Sequence, residues 1–377
     1  MNKDLTIVLL LKDQTAFTWR WFKYQNENPL PFKVLIADGG KDESVERILK
    51  DKSRYPNINY EYIRYPYDKD IGVFFKKVLN ALSRVNTKYI VMASNDDFYI
   101  QDGLKKAVEF LNENKDYVDS RGDIYDFRVR QLNRKSKGED IYGKMVNIIK
   151  LYDNKSNTEN TALKRVRAYS EYSNSFWHDV CHTNKLKQGY QMLVDSKIVD
   201  LDLSDRLINY YLVTQGKIYR GEGLYMLHQS HQQGLGHMLA RRDTFDWMLT
   251  ESWPQDINKI FDITAQKIAE IDNVDTELAR NKVMQYYLCF IIGQKMIRDK
   301  AQRDIANKPE IIIRLGHILS KDNKLRIFLK KLYVYTKELW QENRNAKFIT
   351  SSLYYEEIKK VKDFLIKKPG TFEVPGK

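Results

Sequence analysis

The sequence predicts an α/β protein in which a mainly parallel sheet is wound with helices and followed by a helical C-terminal region. Strand-like and helix-like segments alternate through the first hundred residues, and most of the strand-like segments are continuous apolar runs, as expected for strands covered on both faces. From about residue 255 the apolar pattern is almost wholly helical. Ligands of wound sheets bind beyond the carboxyl ends of the strands, so polar residues there are the first candidates for a site.

Four strands are predicted in the N-terminal part. Leu5–Leu11, residues 34–38 (VLIAD) and residues 89–94 (YIVMAS) are predominantly apolar and indicate buried strands, whereas residues 60–65 (YEYIRY) alternate and indicate a more exposed one. Helical patterns lie between these strands and after the last one, where Asp102 is the predicted N-cap. The predicted helices span residues 18–25, 42–51, 72–84 and 103–114.

The middle of the chain is less regular. Residues 120–175 are mixed and highly charged and predict no definite topology. A helix is predicted over residues 204–214, capped by Ser204 and ended by Gly216.

The stretch KIYRGEGLYML, which begins at Lys217, predicts a hairpin around Gly221 and Gly223. The helical pattern follows this stretch. We therefore expect a domain over residues 1–250, with halves of about 1–120 and 120–250, and a helical region over residues 251–377.

Composition and charge limit the possible partners. The 377 residues are 42% hydrophobic and 30% charged, as in folded globular proteins, and the net charge of +13 predicts attraction to anions. Charge alone would also fit a nucleic-acid-binding protein, but Lys and Arg are spread along the chain with acids between them, which counts against nucleic acid as a partner.

The cysteine content and the apolar runs predict a cytoplasmic location. Cys181 and Cys289 lie far apart in the sequence, so neither a disulfide framework nor a zinc site is indicated. The N-terminal apolar run is interrupted at Lys12 and has no small-residue cleavage site, so we expect a first strand there and not a signal peptide.

The most informative polar residues are Asn95, Asp96 and Asp97, which follow the buried strand YIVMAS. Adjacent carboxylates repel, and holding them at a strand end is unfavourable unless a cation or hydrogen-bond donors meet them. A divalent cation such as Mn²⁺ or Mg²⁺ takes oxygen ligands and shares them with substrate phosphates. Asp38 ends a second strand, so the two strand ends together predict a cation-assisted anion site.

Three stretches resemble the nucleotide-sugar half of the GT-A fold, as in glycosyltransferase family 2: LTIVLLLKDQ, VLIADGGKDES and YIVMASNDDFY. The resemblance covers residues 4–120 well and residues 175–235 more loosely. It implies a GT-A, Rossmann-like fold and an inverting transfer that depends on Mn²⁺ or Mg²⁺. The implied substrates are a nucleotide-diphosphate sugar, with a UDP-sugar as the first choice, and a glycan or lipid-linked acceptor.

The resemblance also implies roles for residues at the strand ends. Asp38, followed by Gly39, would contact the base, Asp96 the ribose and Asp97 the metal ion. Asn95 stands where many members have a third Asp and would keep a polar contact without a charge. Lys12 and Asp13 replace the usual Asn-containing turn after the first strand, which leaves recognition of the base open.

In the later part of the resemblance, Asp205 fits the general base that deprotonates the acceptor, with Asp202 and Asp200 as substitutes. Asp205 could equally stabilise the start of its helix. His228 fits a metal ligand. The alternative for HQSHQQGLGH, which also contains His231 and His237, is a polar surface loop. His178 and His182 flank Cys181, but this proximity is weak evidence for a nucleophilic pair.

Two further alternatives concern the reaction and the membrane. A sugar-phosphate nucleotidyltransferase shares the wound sheet, but LLLKDQTAF lacks the glycine-rich phosphate loop of that class. A Lys-rich amphipathic helix over residues 324–340 could rest on an anionic membrane face, although a packed helix with a solvated Lys face is the commoner explanation of such a pattern.

Overall fold

The computed structural model describes residues 4–130, 141–151, 155–172, 175–198, 200–231, 244–306 and 353–367. The strands are β1 (Leu5–Leu11), β2 (Lys33–Asp38), β3 (Tyr60–Arg64), β4 (Tyr89–Ala93), β5 (Phe98–Tyr99), β6 (Tyr117–Arg130), β7 (Lys144–Lys150), β8 (Val180–His182) and β9 (Lys217–Gln229). The helices are α1 (Thr15–Glu27), α2 (Glu43–Lys50), α3 (Ile71–Ser83), α4 (Gln101–Glu113), α5 (Ala162–Tyr172), α6 (Thr183–Ser196), α7 (Leu201–Gln215), α8 (Thr244–Met248), α9 (Ser252–Asp272), α10 (Thr276–Ala306) and α11 (Tyr355–Ile366).

Within this described part, the strands form one sheet in the order β3-β2-β1-β4-β8-β6-β9-β5, and β7 pairs with β6. Strands β3, β2, β1 and β4 are parallel to one another. Beyond them β8 is antiparallel to both of its neighbours, β6 and β9 are parallel to each other, and β5 is antiparallel to β9. The predicted fold class, a wound α/β sheet with a C-terminal helical region, is confirmed.

The four predicted N-terminal strands and their helices are confirmed. Strand β1 lies between β2 and β4, and all of its residues except Leu10 are buried. A strand in that position is covered by helices on both faces, which is why its sequence is a continuous apolar run. At the edge of the parallel part, β3 is less buried and its sequence alternates.

The predicted hairpin around Gly221 and Gly223 is wrong. Residues Lys217–Gln229 form one long strand that pairs in parallel with β6, and the register shifts where Gly122 meets Gly223. Gly223 has φ +112, so these glycines form a bulge within a strand and not a turn between two strands. The uninterrupted strand carries His228 to the end of the sheet, where it pairs with Asp126.

Both predicted helix caps are wrong, because each helix begins earlier than its pattern indicated. Helix α7 begins at Leu201, where the Asp200 carboxylate accepts from the Leu203 N–H at 3.0 Å and Ser204 lies inside the helix. A carboxylate at the N-cap also interacts favourably with the helix dipole. Helix α4 begins directly after Ile100, whose N–H bonds to the sheet at Tyr225, so Asp102 lies in its first turn.

The described C-terminal helices share a core with the wound sheet. Leu207 of α7, Phe261 of α9 and Tyr287 of α10 belong to the same buried apolar cluster as Val8 and Leu35 of the sheet. Helix α11 packs against β7 in a smaller, separate apolar cluster. The predicted domain boundary near residue 250 therefore does not separate two cores.

Two sequence predictions about membranes and thiols can be compared with the described residues. None of the described helices is both long enough and apolar enough to cross a bilayer. The predicted amphipathic helix over residues 324–340 lies outside the described residues. Cys181 is buried and Cys289 is exposed, and both are free thiols.

Gly122→Ala is expected to lower the free energy of unfolding by about 1–3 kcal/mol, because the new Cβ would lie 2.5 Å from the Gly223 carbonyl oxygen. Gly293→Ala is the matched control. Gly293 lies in the interior of α10, and a Cβ there would have no neighbour within 4 Å. Because Ala favours a helix over Gly, the free energy of unfolding should rise by about 0.5–1 kcal/mol. Urea denaturation measures both, and a Gly122→Ala variant as stable as the wild type would contradict the described pairing of β6 with β9.

Candidate active site

The turns that follow β1, β2 and β4 are tied together by hydrogen bonds. The Lys41 N–H donates to Asp13 Oδ1 at 3.0 Å, which joins the ends of β2 and β1. Asn95 Nδ2 donates to the Gln14 carbonyl oxygen at 3.3 Å and to Thr18 Oγ1 at 3.0 Å, which joins the end of β4 to the start of α1. The three segments predicted to form a site therefore lie along one edge of the sheet, and the predicted polar contact of Asn95 with a ligand stays a prediction.

The turn after β1 needs an unusual backbone. Asp13 and Gln14 have φ values of 53 and 45, in the left-handed region. Gly40 approaches this turn so closely that a Cβ there would lie 2.9 Å from the Asp13 backbone nitrogen. Glycine at that position lets the two turns meet.

Asp38 ends β2 with most of its hydrogen-bonding capacity already used. Its Oδ1 accepts from the Gly40 N–H at 2.8 Å, and its Oδ2 accepts from Tyr62 Oη at 2.6 Å and from Arg64 Nη1 at 2.7 Å. A carboxylate has about four acceptor sites. One acceptor site is left for a ligand. The predicted contact of Asp38 with a base stays a prediction.

A basic and aromatic surface lies beside the Asp38 turn. Lys12 Nζ lies 5.7 Å and Lys41 Nζ 4.6 Å from the centre of the Tyr67 ring. Both lysines are exposed, whereas the neighbouring Gly39 is buried and would place a Cβ 2.5 Å from the Asp68 carboxyl group. This surface can bind an anion through the lysines and a planar group through the ring.

The two adjacent carboxylates after β4 have different surroundings. His231 Nε2 lies 2.9 Å from Asp96 Oδ2, and the His231 ring is buried against Phe17. Burial opposes ionisation of Asp96, but the hydrogen bond and charge of His231 lower its pKa below the ordinary value. His231 therefore does not lie in a surface loop, which corrects that alternative. His237 lies outside the described residues.

Asp97 is almost completely buried, and its surroundings differ from those of Asp96. The Gln229 N–H donates to its Oδ1 at 3.1 Å. His178 Nε2 lies 3.7 Å from Oδ2 and His228 Nδ1 lies 3.7 Å from Oδ1, which are charge contacts and not hydrogen bonds. Burial, together with the neighbouring Asp96, raises the pKa of Asp97 to about 7.

The residues present fit a metal ion. One donor atom each from Asp97, His178 and His228 lies within 4.8 Å of the other two. Two ligands bound to one ion at about 2.1 Å can be at most about 4.2 Å apart, and the 3.7 Å separations of His178 from Asp97 Oδ2 and of His228 from Asp97 Oδ1 are within that limit. His228 Nδ1 is also a buried nitrogen without a hydrogen-bond partner among the described residues. A cation between these three side chains would satisfy it.

The two histidines have pKa values that are shifted in opposite directions. Burial and the nearby His228 lower the pKa of His178 to about 3, so its ring is neutral, as a metal ligand must be. Against the effect of burial, the carboxylates of Asp97, Asp96 and Asp126 raise the pKa of His228 above its ordinary value. The site therefore attracts positive charge.

Arg20 joins the site to the rest of the fold. It is fully buried, and it donates to the Asp96 carbonyl oxygen at 2.7 Å, to the Ile141 carbonyl oxygen at 2.9 Å and to the Gln229 side chain. Its guanidinium group lies 4.9 Å from the centre of the Phe98 ring. Arg20 thus holds the acidic turn against the end of β9, which carries His228.

Asp205 lies in a neighbouring small cavity of about 40 Å³. Its carboxylate accepts from Ser175 Oγ at 2.9 Å and from Asn209 Nδ2 at 2.8 Å, and burial raises its pKa. Trp177 and Met92 line the same cavity. The residue after Trp177 is His178, so the Asp205 cavity adjoins the Asp97, His178 and His228 cluster. The base role of Asp205 stays a prediction.

The two substitutes for Asp205 lie at the start of α7. Asp200 is the N-cap and also accepts from Trp247 Nε1 at 2.8 Å, and Asp202 lies in the first turn. These two carboxylates therefore provide the favourable interaction with the helix dipole. Asp205 lies one turn further along the helix, so the alternative role proposed for it is performed by its neighbours.

Sequence reasoning missed His178 and Arg20. His178 stood out only as a neighbour of Cys181, which instead donates from its thiol to Asp119 at 3.0 Å. The segment that carries His178 reaches the end of β4 because β8 inserts between β4 and β6. No pattern in the irregular stretch before β8 predicted that pairing.

The chain matches no protein-family model and no curated protein. Similar solved structures include S. aureus TarS 1–349, with 13% identity, 76% of this chain and 70% of that chain covered, and a TM-score of 0.44. The complex of that protein with UDP-GlcNAc matches at 13% identity, 75% and 71% coverage and a TM-score of 0.44. Its complex with UDP matches at 14% identity, 75% and 70% coverage and a TM-score of 0.41. The chain spans 43% of the longer S. aureus TarS structure.

Arg20→Leu is expected to lower the free energy of unfolding by at least about 3 kcal/mol, because it removes the three hydrogen bonds that the buried guanidinium group donates to Ile141, Asp96 and Gln229. The control is Arg47→Leu on the exposed face of α2, where we expect a change within about 0.5 kcal/mol. Urea denaturation of both variants tests this. Equal stability of the two variants would mean that Arg20 does not hold the acidic turn.

Proposed function

We propose that this protein is a metal-dependent glycosyltransferase that moves a sugar from a nucleotide-diphosphate donor to a glycan or lipid-linked acceptor. The observation that carries the proposal is the cluster of Asp97, His178 and His228 at the carboxyl edge of a wound sheet. Donor sites of wound sheets lie at this edge. A cation held there next to exposed lysines provides the charge that a diphosphate needs.

The donor would lie across the three strand ends. The Lys12, Lys41 and Tyr67 surface supports binding of the phosphates and of a planar base, and the remaining acceptor site of Asp38 supports one hydrogen bond to that base. The Asp96 carboxylate is held by His231 and keeps acceptor capacity for a ribose hydroxyl. A UDP-sugar is the first donor to test, on the basis of the sequence resemblance.

Asp97 and His228 would hold Mn²⁺ or Mg²⁺, and we add His178 to the ligands that the sequence predicted. When bound, the ion neutralises negative charge that develops on the leaving diphosphate. The surroundings of Asp97 support this role, because a buried carboxylate that accepts one backbone N–H at 3.1 Å is stabilised by a cation beside it.

Asp205 would act as the general base on the acceptor side. The acceptor hydroxyl oxygen forms a bond to C1 of the sugar, the bond from C1 to the phosphate oxygen breaks, and the diphosphate leaves with the electron pair. The hydroxyl proton passes to the Asp205 carboxylate. Ser175 and Asn209 orient that carboxylate, and burial raises its pKa, which makes it a better proton acceptor. Attack from the face opposite the diphosphate inverts the configuration at C1.

The location of the reaction is also part of the proposal. We propose a cytoplasmic protein, and a lipid-linked acceptor would bring it to the inner face of the membrane. The net charge of +13 supports attraction to an anionic surface.

A thermal-shift screen tests the donor class directly. UDP and UDP-sugars are expected to raise the melting temperature in the presence of Mn²⁺ and to have a much smaller effect after treatment with a chelator, because the ion connects the diphosphate to Asp97. Other nucleotide diphosphates and their sugars serve as the comparison set. Stabilisation by random-sequence DNA or RNA, with no response to any nucleotide sugar, would contradict the proposal.

Asp97→Asn and Asp205→Asn should separate donor binding from transfer. Asp97→Asn is expected to abolish metal-dependent donor binding, measured by calorimetry with UDP and Mn²⁺. Asp205→Asn should keep that binding and reduce transfer at least about 100-fold, because the acceptor hydroxyl loses its base. Asp195→Asn, an exposed carboxylate on α6, is the control and should change neither property. Equal loss of donor binding in the two site variants would show that the roles are misassigned.

A further inference from the structure

Two tyrosine hydroxyls hold His178 next to Asp97. Tyr225 Oη donates to the His178 carbonyl oxygen at 2.7 Å and fixes the backbone. Tyr99 Oη lies 3.0 Å from His178 Nδ1 and fixes the ring. Both tyrosines are nearly inaccessible to solvent, and their rings pack edge to face at a centroid distance of 5.8 Å. The imidazole is therefore placed by rigid neighbours and not by solvent.

The hydrogen bonds of Tyr99 determine which nitrogen of His178 carries the proton. Tyr99 Oη donates its only proton to the Met92 carbonyl oxygen at 2.8 Å, and that oxygen can only accept. In the contact with His178, Tyr99 is then the acceptor and Nδ1–H is the donor. In a neutral imidazole the other nitrogen has the free lone pair. That nitrogen, Nε2, lies 3.7 Å from Asp97 Oδ2.

We propose that Tyr99 is a positioning residue that makes His178 Nε2 the third protein ligand of the Asp97 centre, and that the centre selects Mn²⁺, Co²⁺ or Zn²⁺ over Mg²⁺. This inference rests on the metal site of the proposed function. Two imidazole nitrogens and one carboxylate suit divalent transition metals, whereas Mg²⁺ prefers an octahedral set of oxygens. The ligand set thus narrows the choice of cation that the sequence left open.

The arrangement has the form of an outer hydrogen bond that orients a ligand. Metal-bound histidines usually donate their second ring N–H to a protein acceptor, and loss of that acceptor typically weakens metal binding by 10- to 100-fold. If Tyr99 had only a structural role, it would stabilise the fold through its hydrogen bond to the Met92 carbonyl oxygen. Its removal would then change stability without changing metal affinity.

The test compares Tyr99→Phe with Tyr89→Phe. Tyr89 is also fully buried, and its hydroxyl lies 3.0 Å from Asn112 Oδ1 at the opposite end of β4. Each variant therefore removes one buried hydroxyl that makes a side-chain hydrogen bond. Mn²⁺ affinity of the metal-stripped full chain is measured by electron paramagnetic resonance, with calorimetry for Co²⁺, Zn²⁺ and Mg²⁺. Circular dichroism confirms that each variant is folded.

We expect Tyr99→Phe to weaken Mn²⁺ binding about 10- to 100-fold and Tyr89→Phe to leave it unchanged. The His178 side chain is partly exposed, so His178→Gln tests the same ligand even if Tyr99→Phe does not fold. His178→Gln should weaken Mn²⁺ binding at least as much and change the visible spectrum of bound Co²⁺. Millimolar Mg²⁺ should not displace Mn²⁺ from the wild type. Unchanged Mn²⁺ affinity in folded Tyr99→Phe or in His178→Gln, or displacement by equimolar Mg²⁺, would overturn the proposal.

Failure of this inference can be distinguished from failure of the proposed function. If UDP binds with Mn²⁺ or Mg²⁺ equally well, and His178→Gln has no effect, the glycosyltransferase proposal stands and the assignment of His178 is wrong. If the metal affinities behave as expected but no nucleotide sugar binds, the metal centre stands and its use in sugar transfer is wrong.

Discussion

Two neighbouring carboxylates, buried at the end of a strand, set the main physical constraint on this fold. Buried negative charge is strongly unfavourable unless a cation or hydrogen-bond donors compensate it. Asp96 is compensated by His231, with which it forms a hydrogen bond, whereas Asp97 has one backbone N–H at 3.1 Å and two imidazoles at 3.7 Å. Among the described residues, the negative charge of Asp97 is therefore compensated less fully than that of Asp96.

Several distant segments converge to create this asymmetry. Arg20 of α1 donates hydrogen bonds to the acidic turn and to the end of β9, and the long β9 strand places His228 beside that turn. Strand β8 follows His178 and pairs with β4, which places that ring on the other side of Asp97. The Asp97, His178 and His228 side chains therefore come from three different parts of the chain. The position of each one depends on sheet pairing and not on a local motif.

This convergence explains how much the sequence could predict. The parallel strands and the strand-end residues were predictable, because apolar runs and the order of elements are local properties. The hairpin around Gly221 and Gly223 was predicted wrongly because glycine permits both a turn and a bulge, and the choice depends on pairing with β6. His178 was missed for the same reason, since only the antiparallel insertion of β8 brings it to the site.

The central claim is that Asp97, His178 and His228 bind one cation together. The most direct measurement is an anomalous difference map from crystals of the full chain grown or soaked with Mn²⁺. We predict a single anomalous peak within about 2.0–2.4 Å of Asp97 Oδ, His178 Nε2 and His228 Nδ1. A map without a peak among these atoms, or with the ion bound instead between Asp96 and His231, would contradict it.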